Sequence, residues 1–301
     1  MRAIVYDRFG GPDVLRAEQV TEPHPGPGQV RLRVRAAGVN PLDYKIRNGW
    51  LEAVFPVRFP VTPGLEAAGV VDEVGEGVTD LAVGDEVLAL TDTGAYAEYA
   101  LASVAARKPA GLGWDEAAAL PTAGETAQRV LDLLAVGAGD TLLVHAAAGG
   151  VGGLAVQLAR LRGAIVVGTA SPANHAYLRE LGAVPVAYGA GLVDRVREAA
   201  PRGVDAVLDA AGQDALPASI TLRGGTTDRI VTIADPAASA LGVTFSAEAK
   251  ATGGLLAELA RLATSGTLRV TVAGTFPLAE AGAAQARIAD GHTRGKLLLH
   301  P

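Results

Sequence analysis

The chain has 301 residues, 49% of them hydrophobic, and a formal net charge of −6. This length suggests two domains of roughly 150 residues each. The acidic balance argues against nucleic-acid binding, which needs a basic face. The absence of cysteine excludes disulfides and thiolate metal sites. No apolar run reaches the about 18 residues that a transmembrane helix requires, and the charged N-terminus is unlike a secretory signal. We therefore expect a cytoplasmic protein that does not enter membranes.

The first hundred residues have the character of β-structure. Short segments rich in β-branched and apolar residues alternate with Gly/Pro turns, which is typical of strands. Many short strands of this kind favour a small barrel or sandwich. The predicted strands cover residues 3–6, 30–36, 69–74 and 86–90.

The pattern changes near Trp114, where Asp115 and Glu116 precede an Ala-rich helical segment. Strands and helices then alternate, which indicates βαβ units and a parallel sheet. The tail has a strand, a helix near 278–290 and a last strand at 295–299, and it could extend this sheet or return to the first domain. The alternating strands cover 141–145, 164–169, 184–187, 205–209 and 229–234, and the helices 124–135, 151–160, 174–181, 192–199 and 255–264.

A glycine-rich loop joins the strand 141–145 to the helix that follows it. Ala147, Gly149 and Gly152 fit the dinucleotide fingerprint, with Ala in the first glycine position. Gly149 would let the backbone approach a pyrophosphate, and Gly152 would let the helix pack on the strand. Free N–H groups at the helix start then face the phosphates. A tight turn without a ligand is the alternative.

The end of the next strand bears on the choice between NADH and NADPH. An NADH site places Asp or Glu about 20 residues past the glycines, whereas this chain has no carboxylate there. Ser171 and Asn174 can hydrogen-bond a 2′-phosphate, and His175 and Arg179 could supply positive charge. We therefore predict NADPH. Ser171 could instead, or in addition, cap a helix.

Several motifs along the whole chain resemble those of the zinc-free quinone oxidoreductases of the medium-chain dehydrogenase/reductase superfamily. Besides the glycine loop, they are residues 37–49 (AGVNPLDYKIRNG), 63–71, 83–87, 120–127 and 293–299. The resemblance implies an α/β protein. A GroES-like, β-rich catalytic domain would comprise 1–113 and 266–301, and a Rossmann domain with a doubly wound parallel sheet would comprise 114–265. The cofactor would lie in the cleft between them.

The resemblance also implies that zinc is absent. Zinc-dependent relatives place Cys where Asn40 stands and His where Leu65 stands. The five histidines show no ligand spacing either. Without zinc as a Lewis acid, alcohol oxidation is disfavoured. The expected reaction is hydride transfer from NADPH to a small-molecule quinone or other α,β-unsaturated carbonyl.

By the same resemblance, Asn40 and Tyr44 are the expected catalytic residues. Both would donate hydrogen bonds to the acceptor oxygen as charge develops on it. The alternatives are a turn residue before Pro41 and a half-buried aromatic side chain. Asp43 is expected to bond loop backbone, and Glu66 to act as a buried polar brace.

The residues that the resemblance and the motifs place at the cofactor span both expected domains. His175 replaces a basic residue common in the family, so 2′-phosphate binding should weaken as pH rises. Arg294 and Lys296 would reach the cofactor phosphates, or else remain solvated charges. The full set is Asn40, Thr126, Ala147, Gly149, Gly150, Val151, Gly152, Thr169, Ser171, Asn174, His175, Tyr188, Ala211, Gly212, Ile233, Arg294 and Lys296.

Two other functions remain open at the level of sequence. An enoyl-thioester reductase would use the same hydride step, with Arg47 and Arg58 binding a long carrier. A non-catalytic NADPH-binding structural or regulatory protein would keep the cofactor site without turnover. A homodimer is also expected, formed by strand pairing near residues 243–245, which would cover an exposed sheet edge.

Overall fold

The computed structural model describes residues 1–247, 249 and 251–301. Its strands are β1 (Arg2–Val5), β2 (Arg16–Gln19), β3 (Val30–Val39), β4 (Glu66–Val74), β5 (Glu86–Leu90), β6 (Tyr99–Ala102), β7 (Val104–Arg107), β8 (Thr141–His145), β9 (Ile165–Thr169), β10 (Val184–Val186), β11 (Ala206–Asp209), β12 (Ile230–Thr232), β13 (Thr244–Phe245), β14 (Val272–Pro277) and β15 (Lys296–His300). Its helices are α1 (Pro41–Arg47), α2 (Trp114–Ala119), α3 (Pro121–Leu133), α4 (Gly150–Leu161), α5 (His175–Glu180), α6 (Leu192–Ala199), α7 (Ala215–Leu222), α8 (Ala238–Leu241), α9 (Gly253–Thr264) and α10 (Ala281–Ala289).

The chain forms two compact units. The first comprises residues 1–122 and 251–301, and the second residues 123–250. Both boundaries differ from those expected. Helix α2 stays with the first unit because it packs on β3 and β4. Helix α9 also belongs there because it packs on β7, and Gly253 lies so close that an added Cβ would be 2.7 Å from the Ala105 carbonyl oxygen.

The first unit is built on a seven-stranded, mostly antiparallel sheet with the order β14-β15-β3-β4-β5-β7, and β6 also pairs with β3. The tail returns to this unit, since β15 runs antiparallel to β3 with Leu297 opposite Val39. A core of Val34, Tyr96 and Leu299 fills the sheet's inner side. The last four residues of β3 are all buried, so the strand delivers Asn40 into the interior.

The second unit contains a six-stranded parallel sheet with the order β10-β9-β8-β11-β12-β13. Counted from β8, this is the 3-2-1-4-5-6 order of dinucleotide-binding folds. The predicted α/β class with a GroES-like and a Rossmann domain is therefore confirmed. Strand order reverses between β8 and β11, and the crevice at their carboxyl ends is where such sheets bind ligands.

Some elements were absent from the sequence-based prediction. They are β2, β6, β7, α1, α7 and α8. Strands β6 and β7 are four residues each and rich in alanine, which favours helix, and here they pair with β3 and β5. The segment at 243–245 forms β13 at the edge of the parallel sheet, and its pairing with a second copy stays a prediction. Among the described residues no helix has the length and apolar character to cross a bilayer.

Candidate functional site

Asn40 lies where β3 ends and α1 begins. Its backbone N–H donates to Asp43 Oδ2 (2.8 Å), and the Asp43 N–H donates to the Asn40 carbonyl oxygen (3.0 Å). Pro41 fits the first helical position because it has no N–H to lose. The expected structural role of Asp43 is confirmed, and the turn fixes where the Asn40 side chain begins.

The Asn40 side chain belongs to a buried network with Glu66 and Lys296. Asn40 Nδ2 donates to Glu66 Oε1 (2.8 Å), and Lys296 Nζ donates to the same oxygen (2.5 Å) and to Asn40 Oδ1. The Thr122 N–H donates to Glu66 Oε2 (2.7 Å). Glu66 is fully buried and accepts three hydrogen bonds, so its expected role as a polar brace is confirmed.

This network fixes the orientation of the Asn40 amide. Lys296 can only donate and an ionised Glu66 can only accept, so the amide oxygen must face the ammonium and the amide nitrogen the carboxylate. Among the described residues, only Glu66 takes a hydrogen from Asn40 Nδ2. The second Nδ2 hydrogen is left to donate to a ligand.

Gly38 makes room for the Glu66 carboxylate. A Cβ at this position would lie 2.6 Å from Glu66 Cδ and Cγ, and closer still to Oε1. These distances are below any real Cβ contact, so a larger residue at position 38 would displace Glu66. The AGVN motif thus has a structural reason for its glycine.

The structure places Lys296 differently from the phosphate contact expected of it. Its side chain is 6% exposed and ion-paired with Glu66, so the ammonium has a partner within the first unit. Arg294, two residues earlier, is exposed. A contact between Arg294 and a cofactor phosphate stays a prediction.

Asp43 is also bonded to Tyr96, whose hydroxyl donates to Oδ2 (2.8 Å). Burial raises the pKa of Asp43 to about 6, although the bonds from the Asn40 N–H and Tyr96 and the charge of Lys296 oppose the rise. Burial and the neighbouring Asp43 hold the pKa of Tyr96 well above its usual value. Tyr96 therefore stays a phenol and keeps its hydrogen bond to Asp43.

Tyr44 lies on α1, one turn after Asn40, and is half-buried against Trp50, with the two rings edge-to-face and their centroids 6.0 Å apart. Burial raises the pKa of its hydroxyl, so the group remains a donor at neutral pH. No described residue is hydrogen-bonded to this hydroxyl. The half-buried aromatic and the available phenol, given as alternatives, are both present.

In the second unit, the glycine loop and α4 form a compact cradle. Ala146 has a left-handed backbone (φ 53°), and its N–H donates to Thr169 Oγ1 (3.2 Å). Gly149 precedes the first turn of α4, which begins at Gly150. A Cβ at Gly152 would lie 2.8 Å from the Ala147 Cα and closer to the Ala146 oxygen. The loop therefore sits directly on the helix start, which suits a bound pyrophosphate.

Three predicted cofactor residues follow β9. The Ser171 hydroxyl does not cap the short 3₁₀ turn after it, but accepts from Asn174 Nδ2 (3.3 Å). Its own hydrogen is therefore available to a ligand. His175 Nε2 lies 3.3 Å from the Ala170 carbonyl oxygen, which can only accept, so Nε2 carries a hydrogen and Nδ1 is left for other partners.

The remaining predicted cofactor residues of this unit also follow strand ends, apart from Thr126. Tyr188 lies after β10 and is half exposed. The N–H groups of Ala211 and Gly212 donate to Asp209 Oδ1 (2.9 and 3.0 Å), so only their carbonyl groups can serve a ligand. Ile233 follows β12. Thr126 lies in α3, nearly buried, and accepts from Arg129 (3.4 Å).

Two buried polar residues at strand ends were missed as site organisers. Asp209, at the end of β11, is fully buried and accepts from Thr232 Oγ1 (2.7 Å) and from the turn after it. His145, at the end of β8, contacts Ser219 Oγ (3.0 Å), and burial lowers its pKa to about 4. Both residues could have been found from the sequence, because each is a charged or polar residue at the end of an otherwise apolar strand.

The structure bears on the other predictions for this region too. Within residues 1–247, 249 and 251–301 no three His, Cys, Asp or Glu side chains gather as metal ligands. Arg47 is 3% exposed and cannot bind a carrier from solution, whereas Arg58 is exposed. The enoyl-thioester alternative thus loses one of its two expected cations.

Comparison with known proteins agrees with this architecture. Residues 26–124 match the alcohol dehydrogenase GroES-like domain, and residues 181–299 match a family described as zinc-binding dehydrogenase. The chain is 32% identical over 326 residues to the chloroplast envelope quinone oxidoreductase homolog of Arabidopsis thaliana, covering 100% of this chain and 98% of that protein. The chain belongs to the quinone oxidoreductase family of the medium-chain dehydrogenase/reductase superfamily.

Other members of this family show how its activities vary. A 2-haloacrylate reductase of Burkholderia sp is 37% identical over 338 residues, with 100% of this chain and 99% of that enzyme covered. The structure of Escherichia coli quinone oxidoreductase complexed with NADPH has a TM-score of 0.86 at 28% identity, covering 100% of both chains. The relatives that the chain matches over its full length are thus named as oxidoreductases.

The family also includes longer proteins. The rat synaptic vesicle membrane protein VAT-1 homolog is 42% identical over 220 residues, covering 70% of this chain. The match covers 54% of the rat protein, so the chain spans about half the length of these relatives.

Proposed function

We propose that this chain is an oxidoreductase that transfers a hydride from NADPH to a quinone or another α,β-unsaturated carbonyl without zinc. The observation that supports it best is the fixed Asn40 amide, which keeps one N–H for an acceptor oxygen. NADPH, when bound, would supply the hydride. The chain's residues orient the acceptor and stabilise the charge that develops on its oxygen.

Asn40 and Tyr44 are the proposed catalytic residues of the first unit. A preorganised donor aimed at a developing oxyanion acts without reorganisation and is worth about 10²- to 10³-fold in kcat. The Tyr44 hydroxyl, protonated and without a protein partner among the described residues, suits the same task. Both lie within five residues on one short turn and helix, so their spacing is rigid.

The cofactor site is proposed to lie on the second unit, at the carboxyl ends of β8, β9 and β11. The backbone of residues 147–152 would bind the pyrophosphate. Ser171, Asn174 and His175 would bind the 2′-phosphate that distinguishes NADPH, since no carboxylate follows β9 to repel it. The Escherichia coli relative bound to NADPH has the same fold.

Zinc independence is supported by the partners of Asn40 and Glu66. Both side chains are already bonded to the Lys296 ammonium. A divalent ion at these atoms would have to displace a buried positive charge and bind next to an amide, which is a poor zinc ligand. The cytoplasmic location and the homodimer stay predictions.

Steady-state oxidation of NADPH tests the proposal. Small quinones, enones, a 2-haloacrylate and a crotonyl thioester should be compared in parallel, with and without a chelator. We expect turnover with quinones or enones, and we expect the chelator to leave its rate unchanged. Turnover with the thioester alone would favour the enoyl-thioester alternative. NADPH binding without turnover of any acceptor would favour a non-catalytic protein.

Cofactor choice has its own test in Ser171→Asp. A carboxylate at this position would repel the 2′-phosphate and could accept from a ribose hydroxyl. The ratio of kcat/KM for NADPH to that for NADH should fall by about tenfold or more, corresponding to roughly 1.4 kcal/mol. Ser171→Ala is the matched control and should change the ratio less. An unchanged ratio in Ser171→Asp would show that this residue does not face the 2′-phosphate.

A further inference from the structure

Lys296 and Glu66 form a buried ion pair, which is an expensive arrangement in a protein interior. Removing two charges from water costs several kcal/mol per ion, and their attraction often only balances that cost. Their side chains are 6% and 0% exposed. Because an apolar pair of similar volume is often as stable as a buried ion pair, the charges point to a role beyond holding the fold together.

The backbone fixes the position of Lys296 beside Asn40. Lys296 opens β15, and the next residue, Leu297, pairs with Val39 just before Asn40. The Lys296 N–H donates to the Thr271 carbonyl oxygen (2.9 Å). Gly295 has φ 85° and so little space that a Cβ would lie 2.8 Å from the Thr271 carbonyl carbon. The ammonium is thus held at this place by the pairing register.

Removing the ammonium would change two groups at once. Glu66 would be a buried carboxylate without a counter-charge, and such a group takes up a proton. A protonated Glu66 can donate to the Asn40 oxygen. The Asn40 amide could then flip by 180° about its last side-chain bond, because its oxygen and nitrogen have nearly the same shape. Its free N–H would no longer point in one fixed direction.

We propose that Lys296 is a positioning residue whose ammonium keeps Glu66 ionised and locks the Asn40 amide with one N–H presented to the acceptor oxygen. This inference rests on the proposed function for its effect on turnover. It assigns Lys296 to the acceptor side of the reaction and not to the cofactor phosphates. The charge state of Glu66 can be measured without any turnover.

Lys296→Met tests the proposal because it keeps most of the unbranched apolar part of the side chain and removes the charge. We expect kcat with the best acceptor to fall by about 10²-fold, the effect of losing one oxyanion donor. The dissociation constant of NADPH, from fluorescence titration, should stay within about twofold of the wild-type value. Infrared spectra at pH 8 should show a protonated-carboxyl band absent from the wild type.

Two further variants test whether these effects come from the Lys296–Glu66 pair or from a general loss of stability. Lys296→Met/Glu66→Gln should lose the new carboxyl band but keep the low kcat, because a glutamine amide, like a protonated carboxyl, can both donate and accept and so does not fix the Asn40 amide. Lys108→Met is the matched control. Lys108 is also a buried lysine of the first unit, paired with Glu86 (2.8 Å) and bonded to the Leu112 carbonyl oxygen (2.8 Å). It should lose stability while kcat and the carboxyl spectrum stay unchanged.

Several results would overturn the inference. A rise of about tenfold in the dissociation constant of NADPH with kcat retained would make Lys296 a phosphate ligand. An equal fall of kcat in Lys108→Met would show that the fall of kcat in Lys296→Met comes from general destabilisation of the first unit. No carboxyl band in Lys296→Met would show that Glu66 stays ionised without the lysine. If the wild type reduces no acceptor, the proposed function fails, while the infrared result still decides whether Lys296 keeps Glu66 charged.

Discussion

Gly38→Ala is a small change that should disturb the network strongly. The new Cβ would lie 2.6 Å from both Cδ and Cγ of Glu66. An ordinary carbon–carbon contact is about 3.5–4.0 Å, so Glu66 must move by about 1 Å. Its hydrogen bonds to Asn40, Lys296 and the Thr122 N–H span 2.5–2.8 Å. A shift of this size breaks at least one of them.

The expected cost follows from these contacts. Overpacking a core costs roughly 1–3 kcal/mol, and losing one hydrogen bond to a charged group adds about 1.5–3 kcal/mol. Partial relaxation of Glu66 reduces the sum, so we expect about 3–4 kcal/mol less free energy of unfolding for the first unit. Because Asn40 shares the network, kcat should fall as well, by about tenfold or more.

Urea unfolding followed by tryptophan fluorescence measures this cost. Both tryptophans, Trp50 and Trp114, lie in the first unit, so the signal reports on the unit that carries the change. Gly254→Ala is the control in the same unit. Its Cβ would meet only Thr252 Oγ1, at 3.8 Å, in the first turn of α9, where alanine is neutral or stabilising by up to about 1 kcal/mol.

A double-mutant cycle separates the clash from other effects. In a Glu66→Ala background the carboxylate is gone, so adding Gly38→Ala should cost under about 1 kcal/mol, and the two changes should be strongly non-additive. Loss of less than about 1 kcal/mol in Gly38→Ala alone, with kcat unchanged, would refute the placement of Glu66 against Gly38.

Further changes test other parts of the structure. Gly152→Ala should raise the dissociation constant of NADPH by about tenfold or more, since its Cβ would push α4 off the Ala146 oxygen that it lies against. The titration should be compared with Gly137→Ala, where nothing lies within 4 Å. Asp43, with its pKa raised from 3.8 to about 6, contributes stability that is complete below pH 3.8 and is lost as pH rises through about 6. Asp43→Asn should remove this decline, measured as melting temperature against pH. His145, with its pKa lowered from 6.5 to about 4, contributes stability above pH 6.5 that is lost as pH falls through about 4. His145→Asn should flatten that loss.

The sequence predicted the second unit better than the first. Strands β8, β9 and β10 alternate with helices of regular period, and each was located within one residue at both ends. Such βαβ units are local, so their pattern can be seen in a window of about 30 residues. The strands of the first unit pair over long distances, and the alanine-rich β6 and β7 carry no periodic signal of their own.

Site residues were predictable where a motif fixes backbone shape. Gly149 and Gly152 were predictable for this reason, because the conformation of the loop depends on having glycine at these positions. The partners of Lys296 were not predictable in this way. They depend on how β15 pairs with β3, and Lys296 and Glu66 are 230 residues apart. From the sequence of residues 293–299 alone, Lys296 was equally consistent with a ligand of a cofactor phosphate and with a buried ion pair. The register of β15 on β3 was needed to distinguish the two.

The same network implies that substitutions around Glu66 will not act independently. Three groups donate hydrogen bonds to the Glu66 carboxylate: Asn40, Lys296 and the Thr122 N–H. Loss of any one of them alters how well the negative charge of Glu66 is stabilised, and so alters the contribution of the other two. Residues that share a partner show interaction energies of about 0.5–3 kcal/mol. Asn40→Ala should therefore cost less in a Lys296→Met background than in the wild type, because the amide there is already unlocked. Additive losses would mean that Asn40 and Lys296 serve separate tasks.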